Sequence, residues 1–332
     1  MAASKPTPQK KRHHYVPESY LKSFCNDQGK LLVYRKDDPH KALPLVPSAT
    51  QVRRYYYSQP TPEGGQDNNT LEDLFSTIES AWPETVVALE RRENVNDRLE
   101  NVFEFMSLQR VRVPAARDAA EVADAQAVKM TLSMLYASGK LPEFPGGKEI
   151  LEAVEVSIDP HRSIHAMVQM MQGMAPLYNA IGLRVLHNQT PIPFLTNDNP
   201  VMWFDPSLPF SDQRPYTVDI EQGEILLIFP VSPKLMIVGS KDYQNGYSRN
   251  GLQHAELTDH DWVDAINAQI CRFAYEAVIS STPGQEKLVA AFAEQSPVVE
   301  TEIVTVEGRA VSLFRQTFGK RVLKPKWETS SD

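Results

Sequence analysis

Cysteine is scarce in this chain: Cys25 and Cys271 are the only two in 332 residues. That excludes a disulfide framework and a Cys-x-x-Cys zinc pair, and a reducing cytoplasm is the setting expected. Long apolar runs are missing too. The strongest, Ile225 to Phe229, stops at Pro230 and is far too short to cross a bilayer. The opening residues carry lysines but no apolar core, so neither a secretion leader nor a membrane contact is expected. Positive charge is in deficit, with 34 Lys and Arg against 42 Asp and Glu and a net charge of −8. Any nucleic-acid contact would therefore need a local basic patch rather than a general field. Also absent are a Gly-x-x-x-x-Gly-Lys phosphate loop, a Gly-x-Gly-x-x-Gly fingerprint, a Gly-x-Ser-x-Gly elbow and a His-Glu-x-x-His helix, which excludes the enzyme classes those spacings define.

What is present is an ordinary globular balance, 42% apolar and 23% charged, enough for a sizeable core. Residues 1–10, polar with Pro6 and Pro8, read as a flexible basic arm and 325–332 as a tail, leaving 11–324 as a single α+β domain. Pro17 suits the start of a short helix with Tyr20, Leu21 and Phe24, Asn26 to Gly29 turn the chain, and 30–36 reads as a strand. A proline-rich connection follows over 39–47, then a second strand over 52–58. From Thr70, a capping residue, the period becomes helical, with Leu71, Leu74, Phe75, Ile78 and Trp82 on one face until Pro83 splits the helix. Another helix starts near Asn96, is bent by Pro114 and ends near Ser138. A third opens at Asp159-Pro160 and runs to about Ala180, its methionines read as adaptable core.

The helical part is thus about 70–181, and 183–318 is strand-rich. Strands are expected at 183–186, 193–196, 201–204, 224–229, 234–239 and 276–280. A helix capped by Thr258 and another over 283–295 interrupt them, and 301–306 and 309–314 form a terminal hairpin turning at Glu307-Gly308. Strands, then helices, then strands predict an α+β fold with a central helical segment and a mainly antiparallel sheet formed by N-terminal and C-terminal strands.

The least ordinary stretch is Arg12-His13-His14-Tyr15-Val16-Pro17-Glu18-Ser19-Tyr20-Leu21-Lys22-Ser23-Phe24. Together with the turn at Gly29 and the strand ending in Tyr34, it resembles the opening of the bacterial domain-of-unknown-function 4238 family. Further blocks resemble that family downstream: Phe194 to Pro200, Phe229-Pro230-Val231-Ser232-Pro233, and the helix with Asn267 that leads to Glu276 to Ser280. One departure is Asn197, where the family's pattern leads us to expect serine. The resemblance implies a shared fold and a bacterial or phage source, and it assigns no reaction.

Three constellations could carry chemistry. Imidazoles of His13 and His14 can bind a metal or move a proton near neutral pH, with Lys10, Lys11 and Arg12 beside them to hold phosphate; alternatively the pair packs beside Tyr15. Asp198, in Thr196-Asn197-Asp198-Asn199-Pro200 after an apolar strand, is placed either as an exposed ligand or base, or as an Asx turn bonding its own backbone. Glu72, Glu79, Arg110 and Asn267 lie at the margins of apolar helix faces, so Arg110 either pairs with a buried Glu79 or binds substrate. His14, Asn26 and His40 fall in the order of a ββα metal nuclease, but His40 follows Asp38-Pro39 and is not expected on the helix that would aim it.

Two functions follow as expectations. The first is a phosphodiester hydrolase, nuclease-like, of a bacterial defence or toxin module. In it His13, His14 and Asp198 are catalytic, Arg12, Arg110, Asn199 and Asn267 hold a nucleic-acid or nucleotide substrate, and His14, Glu79 and Asp198 hold a divalent metal, Mg, Mn or Zn. The alternative is a non-catalytic regulatory component that senses a nucleotide or binds a protein partner, its motifs locking the fold.

Overall fold

The computed structural model describes residues 9–142, 147–306 and 309–321. The greater part of the expected arm, the turn at 307–308 and the tail from 325 lie outside the described residues. The chain begins with β1 (Arg12–His14), α1 (Glu18–Leu21), β2 (Leu31–Arg35) and β3 (Asp38–Leu45). Gly29 turns the chain into β2 at a φ of 68°, a conformation open to glycine because it lacks a Cβ. β3 replaces the expected proline-rich connection. Its Pro39 and Pro44 are tolerated because β3 is an outer strand, where a missing donor leaves no partner unpaired. β4 (Val52–Arg54) is shorter than expected, since Tyr55 takes a φ of 53° and ends it. β5 (Gln59–Pro60) and β6 (Gln66–Asp67) make a small ribbon.

The helical part is α2 (Thr70–Glu79), α3 (Trp82–Glu90), α4 (Leu99–Val111), α5 (Pro114–Ala137), α6 (Gly147–Ala153), α7 (Pro160–Gly173) and α8 (Ala175–Ala180). Pro83, Pro114 and Pro160 all sit in first turns, where a proline has no intrahelical bond to break. Thr70 does not cap α2; the Asp67 carboxylate accepts from the Asn69 and Thr70 N–H groups instead. Leu74 is 54% exposed, so it is not on the buried face of that helix as expected.

The remaining elements are β7 (Gly182–Asn188), β8 (Thr196–Asn197), β9 (Met202–Phe204), β10 (Leu226–Ser232), β11 (Leu235–Ser240), α9 (Gln244–Asn250), β12 (Gln253–Leu257), α10 (His260–Phe273), β13 (Ala277–Ser280), α11 (Glu286–Ala291), β14 (Ser296–Val306) and β15 (Arg309–Gly319). Asp259, not Thr258, caps α10, accepting from Trp262 N–H at 3.0 Å.

The fold is α+β, with N-terminal and C-terminal strands sharing the four-stranded sheet β3-β2-β13-β8. Other strands form a second sheet, β12-β7-β11-β10-β9, antiparallel except where β12 runs parallel to β7. The inner strands of both sheets are buried on both faces. Val33, Val185, Phe229, Ile237 and Ile279 join the helices in one core cluster, while their neighbours Tyr34, Leu186, Ile228, Met236 and Val278 join Val263, Ile266 and Ile270 of α10 in the other. Period-two alternation thus sends adjacent residues to opposite cores, which is why these strands read as continuous apolar runs. Met167 and Met174 are buried in the first core, as the methionine reading expects.

The terminal hairpin β14–β15 is longer than expected, paired from Ser296↔Gly319 to Val306↔Arg309. Its base is tied down by buried Lys36. The Lys36 Nζ donates to Gln295 O, to Ser296 Oγ at 3.1 Å and to Arg272 O at 3.5 Å, and burial brings its pKa down to about 7. Among the described residues no helix is long and apolar enough to cross a membrane.

Candidate functional site

The histidine pair is split by the strand that carries it. β1 pairs with β4, placing His13 opposite Arg53 and His14 opposite Val52, and alternation turns the two rings to opposite faces. His13 is fully buried. Its Nδ1 accepts from Tyr57 N–H at 2.8 Å, its Nε2 faces Lys10 O at 3.3 Å, and the ring stacks on Tyr57. This is a neutral imidazole with both nitrogens occupied, and burial holds its pKa below the ordinary value. His14 is half-buried, its Nε2 has no partner, and burial lowers its pKa as well. Arg12 is exposed and donates to Ser48 O at 2.7 Å. His40 lies exposed on β3, not on a helix.

The Asp-Asn-Pro turn is equally occupied. Asp198 is fully buried, and its Oδ1 and Oδ2 accept from Tyr275 N–H at 2.7 Å and Glu276 N–H at 2.6 Å. It is neither the exposed ligand nor the self-bonded Asx turn expected. It ties the end of β8 to the start of β13. Burial, with Glu276 adding, raises its pKa to about 7, while the two N–H donors and Lys36 oppose that rise. The Asx turn belongs to Asn197, whose Oδ1 accepts from Asn199 N–H at 2.8 Å and whose Nδ2 donates to Ile270 O at 2.7 Å. Asn267 is a clamp between α10 and the strand entry, accepting from Leu195 N–H and donating to Pro193 O. Tyr20 draws the blocks together: its hydroxyl is 2.6 Å from Thr196 Oγ1 and donates to Pro230 O at 2.7 Å, and its ring stacks on Phe229.

The arginines divide sharply. Glu79 does not pair with Arg110 as expected; its partner is Arg112, at 2.5 Å. Arg112 is 1% exposed and also donates to Tyr15 O at 3.0 Å and His14 O at 2.7 Å, fastening β1 to the helices. Arg117 is similarly satisfied by Ser163 Oγ, Tyr56 O and Pro160 O. Arg110 is 7% exposed, and its Nε and Nη1 have no acceptor. Its guanidinium lies 3.5 Å from the centre of the Tyr216 ring and 5.5 Å from that of Trp203. Asn199 donates to the same Tyr216 hydroxyl at 2.5 Å, so Arg110 and Asn199 meet on one ring. Leaving a buried guanidinium without a counter-charge costs several kcal/mol, about 2 of which a desolvated cation–π contact offsets.

A cavity of about 500 Å³ lies elsewhere, between α5, residues 155–158 and the base of the terminal hairpin. Asp118, Glu121 and Tyr275 line it, with Tyr275 donating to Asp118 at 2.9 Å and Glu121 accepting from Ser163 at 2.9 Å. None of these was a candidate from sequence, because they gather from helix and strand segments that carry no motif. Among the described residues no three His, Cys, Asp or Glu side chains are grouped to hold a metal ion, so His14, Glu79 and Asp198 are not assembled into the expected site.

Residues 12–284 match the model of a family described as Protein of unknown function (DUF4238). The chain belongs to this family. No curated protein and no solved structure matches it. The matched stretch of this DUF4238 chain includes Tyr20, Asn197, Asp198 and Asn267, and the hairpin from Ser296 lies beyond it.

Proposed function

We propose that this DUF4238 chain is a non-catalytic binding component, of the nucleotide-sensing or protein-binding regulatory kind, rather than a phosphodiester hydrolase. The observation that carries this reading is Asp198. A general base or metal ligand needs a free lone pair facing a wet cleft, whereas both oxygens of this carboxylate are committed to backbone N–H groups in dry packing. His13 supports the same reading, since both its nitrogens are engaged. The hydrolase reading, with its divalent metal and its defence or toxin setting, rests on residue types alone. A cytoplasmic setting is part of the proposal, supported by Cys25 and Cys271, both free thiols whose pKa burial raises.

The test pairs activity with stability. Wild type should leave DNA, RNA and nucleotides intact with Mg²⁺, Mn²⁺ or Zn²⁺. Asp198→Asn, which turns an amide donor toward one of the two N–H groups, should lower stability by roughly 2–4 kcal/mol. Hydrolysis by wild type that is lost in a fully stable Asp198→Asn would overturn the proposal.

A further inference from the structure

We propose that the β1–β4 ribbon is a binding surface for single-stranded nucleic acid, with Arg12 and Arg54 on the phosphates and Tyr55 under a base. It is independent of the non-catalytic reading above. The register places Arg12 directly opposite Arg54, both exposed. The adjoining residues are joined by a backbone bond from Tyr55 N–H to Lys11 O at 3.1 Å, so Arg12 and Arg54 form the next, non-hydrogen-bonded pair, in which facing side chains stand closer. Like charges so placed destabilise a ribbon, and an oxyanion between the two guanidinium groups replaces that repulsion with charge-assisted bonds. Room for it is present. A surface cavity of about 290 Å³, the volume of about ten liquid waters and ample for a phosphate group, is lined by Arg12, Val52, Arg53 and Arg54.

No carboxylate of the protein answers these charges. Among the described residues Arg12 donates only to Ser48 O, at 2.7 Å, and Arg54 has no side-chain partner, whereas Arg53 is paired with Glu276 at 2.7 Å. Carboxylates on neighbouring elements are already matched: Glu18 by Lys22, Asp73 by Lys10, and Glu276 by Arg53 and Arg321. Lys11, exposed beside Arg12, extends the row of positive charge. In a chain of net charge −8 this is the local basic patch that a nucleic-acid contact requires. Tyr55 selects the single-stranded form. It is 43% exposed and follows Arg54 at a φ of 53°, and an exposed ring beside a row of cations is a stacking platform for an unpaired base. A concave seat between two arginines suits one phosphodiester group rather than the flat plane of a bilayer.

Fluorescence anisotropy of the full chain with labelled oligothymidylate and oligouridylate of roughly twelve nucleotides tests this. A DNA duplex of the same length and phosphatidylserine-containing vesicles are the competing ligands. Wild type should bind a single strand, more tightly than the duplex, with an affinity that falls as salt rises from about 50 to 200 mM. Arg12→Gln combined with Arg54→Gln should weaken binding about 10-fold or more and, at about 0.7 per phosphate contact, flatten the salt slope by about 1.4. Tyr55→Ala should weaken binding about 10-fold and leave the salt slope as it was. Arg249→Gln combined with Lys287→Gln makes the same charge change at exposed positions elsewhere and should bind as wild type does. All these positions are exposed, so unfolding midpoints should match wild type and the losses are read on folded protein. The surface is overturned if wild type binds neither oligonucleotide, if the Arg12 and Arg54 variant binds as wild type does, or if the two double variants lose affinity alike. It is equally overturned if the duplex binds as tightly as the single strand, or if vesicles alone are bound.

Discussion

Arg110 on α4 and Arg112 at its C-terminal cap are both buried, and methionine at either position should have opposite effects on stability. Arg112→Met removes the donor from the His14 and Tyr15 carbonyls and the partner from Glu79. Each orphaned carbonyl costs about 1–3 kcal/mol. Glu79 is 21% exposed and rehydrates, so its share is small. The sum is a loss of about 3–5 kcal/mol, in line with breaking a buried pair from one side. Arg110→Met instead removes an uncompensated charge and gives up only the stack on Tyr216, so stability should hold or rise by about 1–2 kcal/mol. Urea unfolding followed by tryptophan fluorescence and far-ultraviolet circular dichroism reads both. With a slope of about 3 kcal/mol per molar, the Arg112→Met midpoint should fall by about 1–1.7 M and that of Arg110→Met should not fall. Equal losses in the two variants would refute the distinction between satisfied and unsatisfied arginines.

Two further outcomes are expected. Burial holds His13 below its ordinary 6.5, so the unfolded chain takes up a proton near that pH while the folded chain does not. The His13 contribution is therefore complete above about pH 6.5 and is lost as pH falls toward the folded value, at up to about 1.4 kcal/mol per pH unit; urea midpoints between pH 7.5 and 5 should drop more steeply in wild type than in His13→Gln. Gln109, fully buried on α4, has no partner for Nε2 or Oε1, so Gln109→Met should raise stability by roughly 1–2 kcal/mol in the same unfolding assay, and a loss would show that the amide is bonded after all.

Prolines and period made much of the architecture legible. Pro83, Pro114 and Pro160 mark helix starts because a ring without an N–H fits a first turn and little else. β3 escaped because prolines argue against strands, and only the assembled sheet reveals that β3 is an outer one. β12 escaped because Gln253-His254-Ala255-Glu256-Leu257 has only Ala255 and Leu257 to alternate and no β-branched or aromatic residue, and its pairing with β7 comes from tertiary context. The Glu79 partner was misread for a definable reason. From Phe105 to Val111 every residue of α4 is buried, the polar Ser107, Gln109 and Arg110 included, so no face is exposed and a helical wheel cannot choose between the arginine inside that stretch and the one just after it. Asp198 was placed correctly at a strand end, but the pattern could not say that its acceptors would meet N–H groups 77 and 78 residues away.

The grip of Lys36 bears on where this chain can be cut. The lysine lies inside the stretch shared with the family, but two of its three acceptors, Gln295 and Ser296, come after Gly284, where that stretch ends. A fragment trimmed to the shared boundary would strand an ammonium group in the interior with only Arg272 O to hold it. The edge of the likeness is therefore not an edge of the cooperative unit, and the smallest piece that keeps this cation satisfied extends through Ser296.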